Sequence, residues 1–330
     1  MLKRVPLIDG HNDTPWQYRK RVNSDLARID LSSDTSQMWP PMHTDLRRLR
    51  MGYVGGQFWS VYLPTDQPNV VAAFHNQVRL AQNLVKRYPE LELAVNAQQV
   101  EDRHKTGKIA SLLGVEGGHA LGPQGSIAEL RWLYQQGVRY LTLTHTRSNA
   151  IADSANGPRR HGGLSAQGRK VIQEMNRLGM LIDLSHTSDE TAEQAMMLST
   201  KPVVFTHSNA RALNPHLRNV PDRLLLELKK NNGLIMLSFV PDFVEKEGRE
   251  VTTLEDVADH FDYVKELIGV QHIGVGGDFD GIRKGPRGLE DVSRYPYLFA
   301  ELLKRGWSEE ELELVAGKNL LRVMRDNQVQ

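Results

Sequence analysis

Cysteine is absent from this sequence, and its absence removes three kinds of chemistry at once. Disulfide bridges, thiolate metal ligands and a cysteine nucleophile are all excluded, so any metal chemistry must rest on His, Asp and Glu. An excess of either charge is missing too, since 41 Lys and Arg stand against 40 Asp and Glu. That balance offers no bulk charge for holding a phosphate backbone, and a nucleic-acid partner is not expected. No apolar run reaches the roughly 18 residues of a membrane span. The opening Met1-Leu2-Lys3-Arg4-Val5-Pro6 has no signal-peptide apolar region. The expectation is a soluble protein with no membrane segment, cytoplasmic as written, or periplasmic or secreted if a signal has been removed.

What is present is an ordinary globular composition over 330 residues, 40% hydrophobic and 25% charged, enough for a sizeable core. Eight short apolar runs recur, at 7–13, 55–63, 109–116, 138–145, 181–186, 203–207, 234–240 and 272–278. Their β-branched and aromatic content fits strands. Helical patterns lie between them, at 70–88, 126–136, 164–178, 188–198, 253–268 and 308–324. Pro89, Gly137 and Gly179 supply stops, Ser188 a cap, and Ser308-Glu309-Glu310-Glu311 a capping box. This alternation predicts an α/β fold, a (β/α)8 TIM barrel. With no linker or repeat, residues 1–330 read as one domain, and the polar stretches 30–44 and 147–163 as long loops or insertions.

The apolar runs share an ending. Six of the eight finish on residues that bind metals or move protons: His11 and Asp13, Glu116, His145, His186, His207, and the carboxylates Asp278 and Asp280. In such a barrel the carboxyl ends of all strands open onto one face, so these residues converge. His11 and Asp13 are two apart and leave the same face of an ideal strand. Singly, each has a bland reading as a hydrogen-bonded histidine or a helix cap. Together, buried polar groups at six strand ends would cost about 1–3 kcal/mol each without partners, and a metal cluster satisfies them jointly. A sulfur-free set of His and carboxylates suits Zn²⁺ and tolerates Mn²⁺ or Co²⁺. Five ligands exceed what one catalytic zinc needs. Two ions bridged by Glu116 are the economical arrangement, with His11 and Asp13 on one and His186 and His207 on the other. A water between ions about 3.5–4 Å apart would ionise near neutral pH and become a nucleophile.

At this point the sequence resembles the membrane (renal) dipeptidases, a family of binuclear zinc metallopeptidases with an α/β-barrel fold. The resemblance runs from Leu7 to about Val323. Its motifs are Ile8-Asp9-Gly10-His11-Asn12-Asp13, the run from Gly52 to Tyr62, Gly114-Val115-Glu116-Gly117-Gly118-His119, Arg139-Tyr140-Leu141-Thr142-Leu143-Thr144-His145, Arg218-Asn219-Val220-Pro221 and Gly276-Gly277-Asp278-Phe279-Asp280-Gly281. It implies a barrel of the metal-dependent hydrolase type, with His11, Asp13, Glu116, His186 and His207 as ligands and Glu116 bridging two zinc ions. By the same resemblance His145 contacts the scissile carbonyl oxygen, Arg218 holds the substrate's free carboxylate, and Asp278 is the acid/base. The choice of Asp278 over Asp280 rests on the resemblance alone. His119 reads as a supporting residue rather than a ligand. Lacking cysteine and an apolar C-terminal tail, the chain departs from the animal members, and a soluble, bacterial-type member is expected.

The implied activity is hydrolysis of dipeptides with a free C-terminal carboxylate by a metal-bridging hydroxide, with a homodimer implied by the resemblance only. Two other readings share these residues. One is a related amide or β-lactam hydrolase on the same binuclear site, which a panel of dipeptides with L and D second residues would separate. The other is a barrel kept as a binding scaffold, for which five converging ligands would have no use.

Overall fold

A strand covered by helices on one side and by the barrel interior on the other must be apolar on both faces, which is why the runs are short and nearly continuous. The computed structural model describes residues 1–246, 248 and 251–329. Among these, the strands are β1 Leu7–Asn12, β2 Val54–Tyr62, β3 Leu91–Leu93, β4 Ile109–Glu116, β5 Val138–Thr142, β6 Leu181–Asp183, β7 Val204–Phe205, β8 Leu234–Leu237 and β9 Ile273–Val275. All pairings between them are parallel. β1 pairs with β2 on one side and β9 on the other, β2 pairs with β4, and β4 to β9 follow in order. Eight strands therefore close the expected TIM barrel. β3 is an addition the sequence reading lacked, lying on the first three residues of β4 while β5 pairs with the last four.

Ile8, Phe58, Leu112, Leu181, Val204 and Met236 fill the barrel interior, and a larger apolar cluster lies between sheet and helices. Helix Val70–Arg87 shows how a helix joins that cluster. Phe74, Val78, Ala81 and Val85 recur at steps of four, three and four and are all buried, so one stripe faces the sheet. Full burial is worth about 1.5–3 kcal/mol for each Phe or Val. The helix ends before Pro89, whose ring disfavours helix in the residue ahead of it. Ser308 and Glu311 form the predicted capping box, but that helix is broken: Glu309–Glu313 passes through a π-turn at Leu314–Lys318 into Asn319–Asn327. Helices Thr14–Val22, Leu46–Met51, Ala97–Lys105, Asp222–Lys230 and Tyr295–Lys304 were not anticipated either.

Four runs expected to be strand up to their functional residue stop earlier. β5 ends at Thr142, β6 at Asp183, β7 at Phe205 and β9 at Val275, so His145, His186, His207 and Asp278 stand on the loops just beyond; a fifth, β1, ends at Asn12, one residue before Asp13. The reason is visible in the backbone, which takes φ of 68° at His186 and 61° at Asp278. A chain turning into the barrel mouth cannot also keep its ladder. The two long polar stretches lie at this rim. In the second, Asp153 accepts the backbone N–H groups of Arg160, His161 and Gly163. In the first, His43 is bonded to Asp280. The C-terminal stretch read for an apolar tail ends at Gln330, outside the described residues. Among the described residues no helix is long and apolar enough to cross a membrane.

Candidate metal centre

Glu116, the last residue of β4, is the hub. Its Oε2 lies 3.6 Å from His11 Nε2, and its Oε1 lies 3.0 Å from His186 Nε2, 3.3 Å from His207 Nε2 and 3.6 Å from His145 Nε2. The two oxygens thus face different sets of imidazoles. Asp13 occupies the N-cap position of helix Thr14–Val22 yet makes no side-chain cap bond. Its carboxylate turns instead to His11, with Oδ2 at 3.3 Å from Nε2. Asp278 Oδ1 is 4.0 Å from the same nitrogen. All five expected ligands therefore come together. Their grouping is more mixed than the expected two pairs: His207 also falls with His11 and Glu116, His145 with Glu116 and His186, and Asp278 with His11 and Asp13.

The donors suit a divalent metal on their own chemistry. His11 Nε2 and Asp13 Oδ1 are buried with no hydrogen-bond partner. Donor atoms about 3.3 Å apart are what a tetrahedral ion with bonds of about 2.0–2.1 Å requires. Several buried carboxylates facing neutral imidazoles are stable only when a cation balances them.

The electrostatics agree. Burial holds His186 and His207 well below the ordinary imidazole range and lowers His145 too, so their lone pairs are free to bind metal. His11 goes the other way: burial opposes its charge, but Tyr140, Glu116 and Asp13 outweigh it. For Glu116, burial is overcome by His11 and His145, and it stays ionised well below the usual carboxylate range. Asp278 is pushed well above that range, by burial first and then by Asp13 and Glu116.

The structure separates Asp278 from Asp280. Both lie past the end of β9 with positive φ, so their two-residue spacing does not put them on one strand face. Asp280 is fully engaged, accepting Thr14 Oγ1 and the His43 backbone N–H at 2.7 Å each. Asp278 faces the cluster. Arg218 is buried, its guanidinium hydrogen-bonded to Ser208 Oγ at 3.5 Å and to the His207 carbonyl at 3.3 Å and lying 5.3 Å from the centre of the Phe243 ring. Its Nε has no partner, and burial lowers it to about 10. His145 packs between the rings of Tyr62 and His186. His119 stands outside every metal group, donating Nε2–H to the Leu63 carbonyl at 2.9 Å, and burial lowers it to about 4.

Sequence reasoning missed the residues that hold this cluster. Tyr140 Oη lies 3.0 Å from His11 Nδ1, and it fits because position 114 is glycine: a β-carbon there would fall inside the Tyr140 ring. Thr206 Oγ1 lies 2.9 Å from His207 Nδ1. The only signal for Thr206 is that it immediately precedes a ligand candidate.

A closed parallel barrel with a His and carboxylate cluster at the carboxyl ends of its strands is an arrangement that suits a metal-dependent hydrolase. Residues 1–330 match the membrane dipeptidase family, peptidase family M19, and the chain belongs to it as a metallo-dipeptidase. It is 44% identical to dipeptidase aclJ of Aspergillus oryzae, over 99% of this chain and 79% of that protein. It is equally 44% identical to mouse dipeptidase 3, over 98% of this chain but only 65% of that longer protein. Among solved structures, a metallo peptidase from Rhodobacter sphaeroides, liganded with a phosphinate mimic of the dipeptide L-Ala-D-Ala, superposes with a TM-score of 0.86 at 25% identity, covering 98% of this chain and 99% of that one.

Proposed function

We propose that this protein hydrolyses dipeptides bearing a free C-terminal carboxylate, on a site where His11, Asp13, Glu116, His186 and His207 hold two zinc ions bridged by Glu116. The observation that carries the substrate assignment is Arg218. A buried guanidinium with no carboxylate partner among the described residues is costly unless an anion completes it, and its planar fork suits a carboxylate. Zinc, when held by these residues, would activate a water as nucleophile at neutral pH and polarise the carbonyl.

The chain's own residues do the rest. Arg218 anchors the carboxylate and so fixes the scissile bond one residue away. His145, at the mouth between Tyr62 and His186, donates to the carbonyl oxygen as charge develops there. Asp278, facing His11 and Asp13 rather than engaged like Asp280, takes the proton of the attacking water and passes it to the departing amine. The dipeptide mimic in the Rhodobacter protein makes second residues of both hands the natural substrate panel.

Arg218→Ala should lower kcat/KM on dipeptides by about 10²-fold or more, the scale of losing a desolvated charge pair, while C-terminal amides, already poor substrates, change little. Equal losses on acids and amides would mean that Arg218 does not hold the carboxylate.

A further inference from the structure

The buried carboxylate of Asp183 ends β6 and touches no metal group, yet it gathers the rim of three strands. Its Oδ1 accepts the backbone N–H groups of Ser185 at 3.1 Å and Thr206 at 2.9 Å. Its Oδ2 accepts the hydroxyls of Thr142 at 2.6 Å and Thr206 at 2.7 Å. Four donors fill the lone-pair sites of an ionised carboxylate.

A hydroxyl has one hydrogen, and that of Thr206 is spent on Asp183. Thr206 Oγ1 therefore meets His207 Nδ1, 2.9 Å away, only as an acceptor. A neutral imidazole carries one N–H, so the hydrogen must sit on Nδ1 and the lone pair on Nε2. That lone pair points at Glu116 Oε1, 3.3 Å away, and at His186 Nε2, 2.9 Å away. In the other tautomer Nε2–H would hydrogen-bond to Glu116 and close the site to a cation. The backbone N–H of His207 is fixed on the same scaffold, donating to Ser185 Oγ at 3.1 Å.

We infer that Asp183, acting through Thr206, is a positioning residue that locks His207 as the Nδ1–H tautomer and thereby presents Nε2 to the metal. The inference rests on the reading of His207 as a ligand, and its test separates the two. In ¹⁵N-histidine-labelled, metal-free protein, with the His207 signals identified by their loss in His207→Gln, long-range ¹H–¹⁵N spectra should show Nδ1 protonated. In Thr206→Val, which keeps the shape and removes the hydroxyl, the Nε2–H form should appear. Zinc affinity by chelator competition should fall about 10–100-fold, the usual scale for an outer partner of a ligating histidine, and Thr206→Ser should restore both. Nε2–H in the wild-type protein would overturn the inference without any variant, as would unchanged tautomer and zinc affinity in a folded Thr206→Val. Wild-type protein that shows Nδ1–H but binds no zinc would leave the tautomer lock standing and overturn the ligand reading.

Discussion

Gly281 shows how much a missing side chain can matter. A β-carbon at that position would fall on Asp13 Oδ2 and Asp278 Oδ1, and the backbone there is outside the left-handed region, so alanine must push those two carboxylate ends aside. Gly281→Ala should displace a proposed metal ligand, Asp13, and the proposed acid/base, Asp278, together. A shift near 1 Å in such groups costs about 10²-fold in rate. Activity should fall by at least that much and zinc per chain should drop, with little change in melting temperature. Wild-type turnover and metal content in the variant would show that the two carboxylates have slack. Asp280, two residues past Asp278, differs because it is engaged by Thr14 and His43 and builds the rim without facing the cluster.

Neighbouring helices are tied by charge as well as by apolar packing. Glu174, on helix Ala166–Leu178, is gripped by Arg177 of its own helix and by Arg131 of helix Ile127–Gln135, with contacts of 2.6 to 2.9 Å. Hydrogen bonds from Arg177 and then Arg131 hold its carboxyl at about 2. Because the folded value lies below the unfolded one, the stabilisation is complete above the ordinary value of 4.5 and is lost as pH falls toward about 2. Both arginines are more than half exposed, so solvent screening reduces the gain to about 1 kcal/mol. Glu174→Gln should lose about that much in urea unfolding at pH 7, and the gap to wild type should close as the pH is lowered from 4.5 toward 2. A gap constant across that window would rule out the ion pairs as its source.

At the scale of the molecule, the proposed ligands come from β1 and the residue that follows it, from β4 and from the loops after β6 and β7, which are distant in sequence and meet only across the barrel mouth. Ions bound there would cross-link the rim and favour the folded state. Free metal at 100 to 1,000 times Kd would add about 2.7–4.1 kcal/mol per site. Stripping the metal with a chelator should therefore abolish activity and lower the melting temperature by several degrees, with zinc restoring both. An unchanged transition after verified metal removal would show that the barrel rim is held by protein contacts such as the Asp183 clasp.

The sequence by itself determined the barrel and the chemistry at its mouth. Burial on both faces forces apolar strands, their alternation with helices leaves few parallel topologies, and residues able to bind metal at the ends of those runs stand out against a core that excludes them. Elements with little apolar content, such as the helix Thr14–Val22, or with little length, such as Leu91–Leu93, left no such mark. Tertiary structure alone decided which carboxylate faces the cluster, which histidines share Glu116, and which nitrogen His207 turns toward it. Asp278 and Asp280 are chemically identical and two residues apart, so only the path of the backbone beyond β9 separates them. Tyr140 and Asp183 look like ordinary strand residues until closure of the barrel places a hydroxyl 3.0 Å from His11 and a carboxylate 2.7 Å from the hydroxyl of Thr206, the neighbour of His207. A hydrogen bond across strands has no period or motif in the chain, because its partners are set by the three-dimensional closure and not by their spacing.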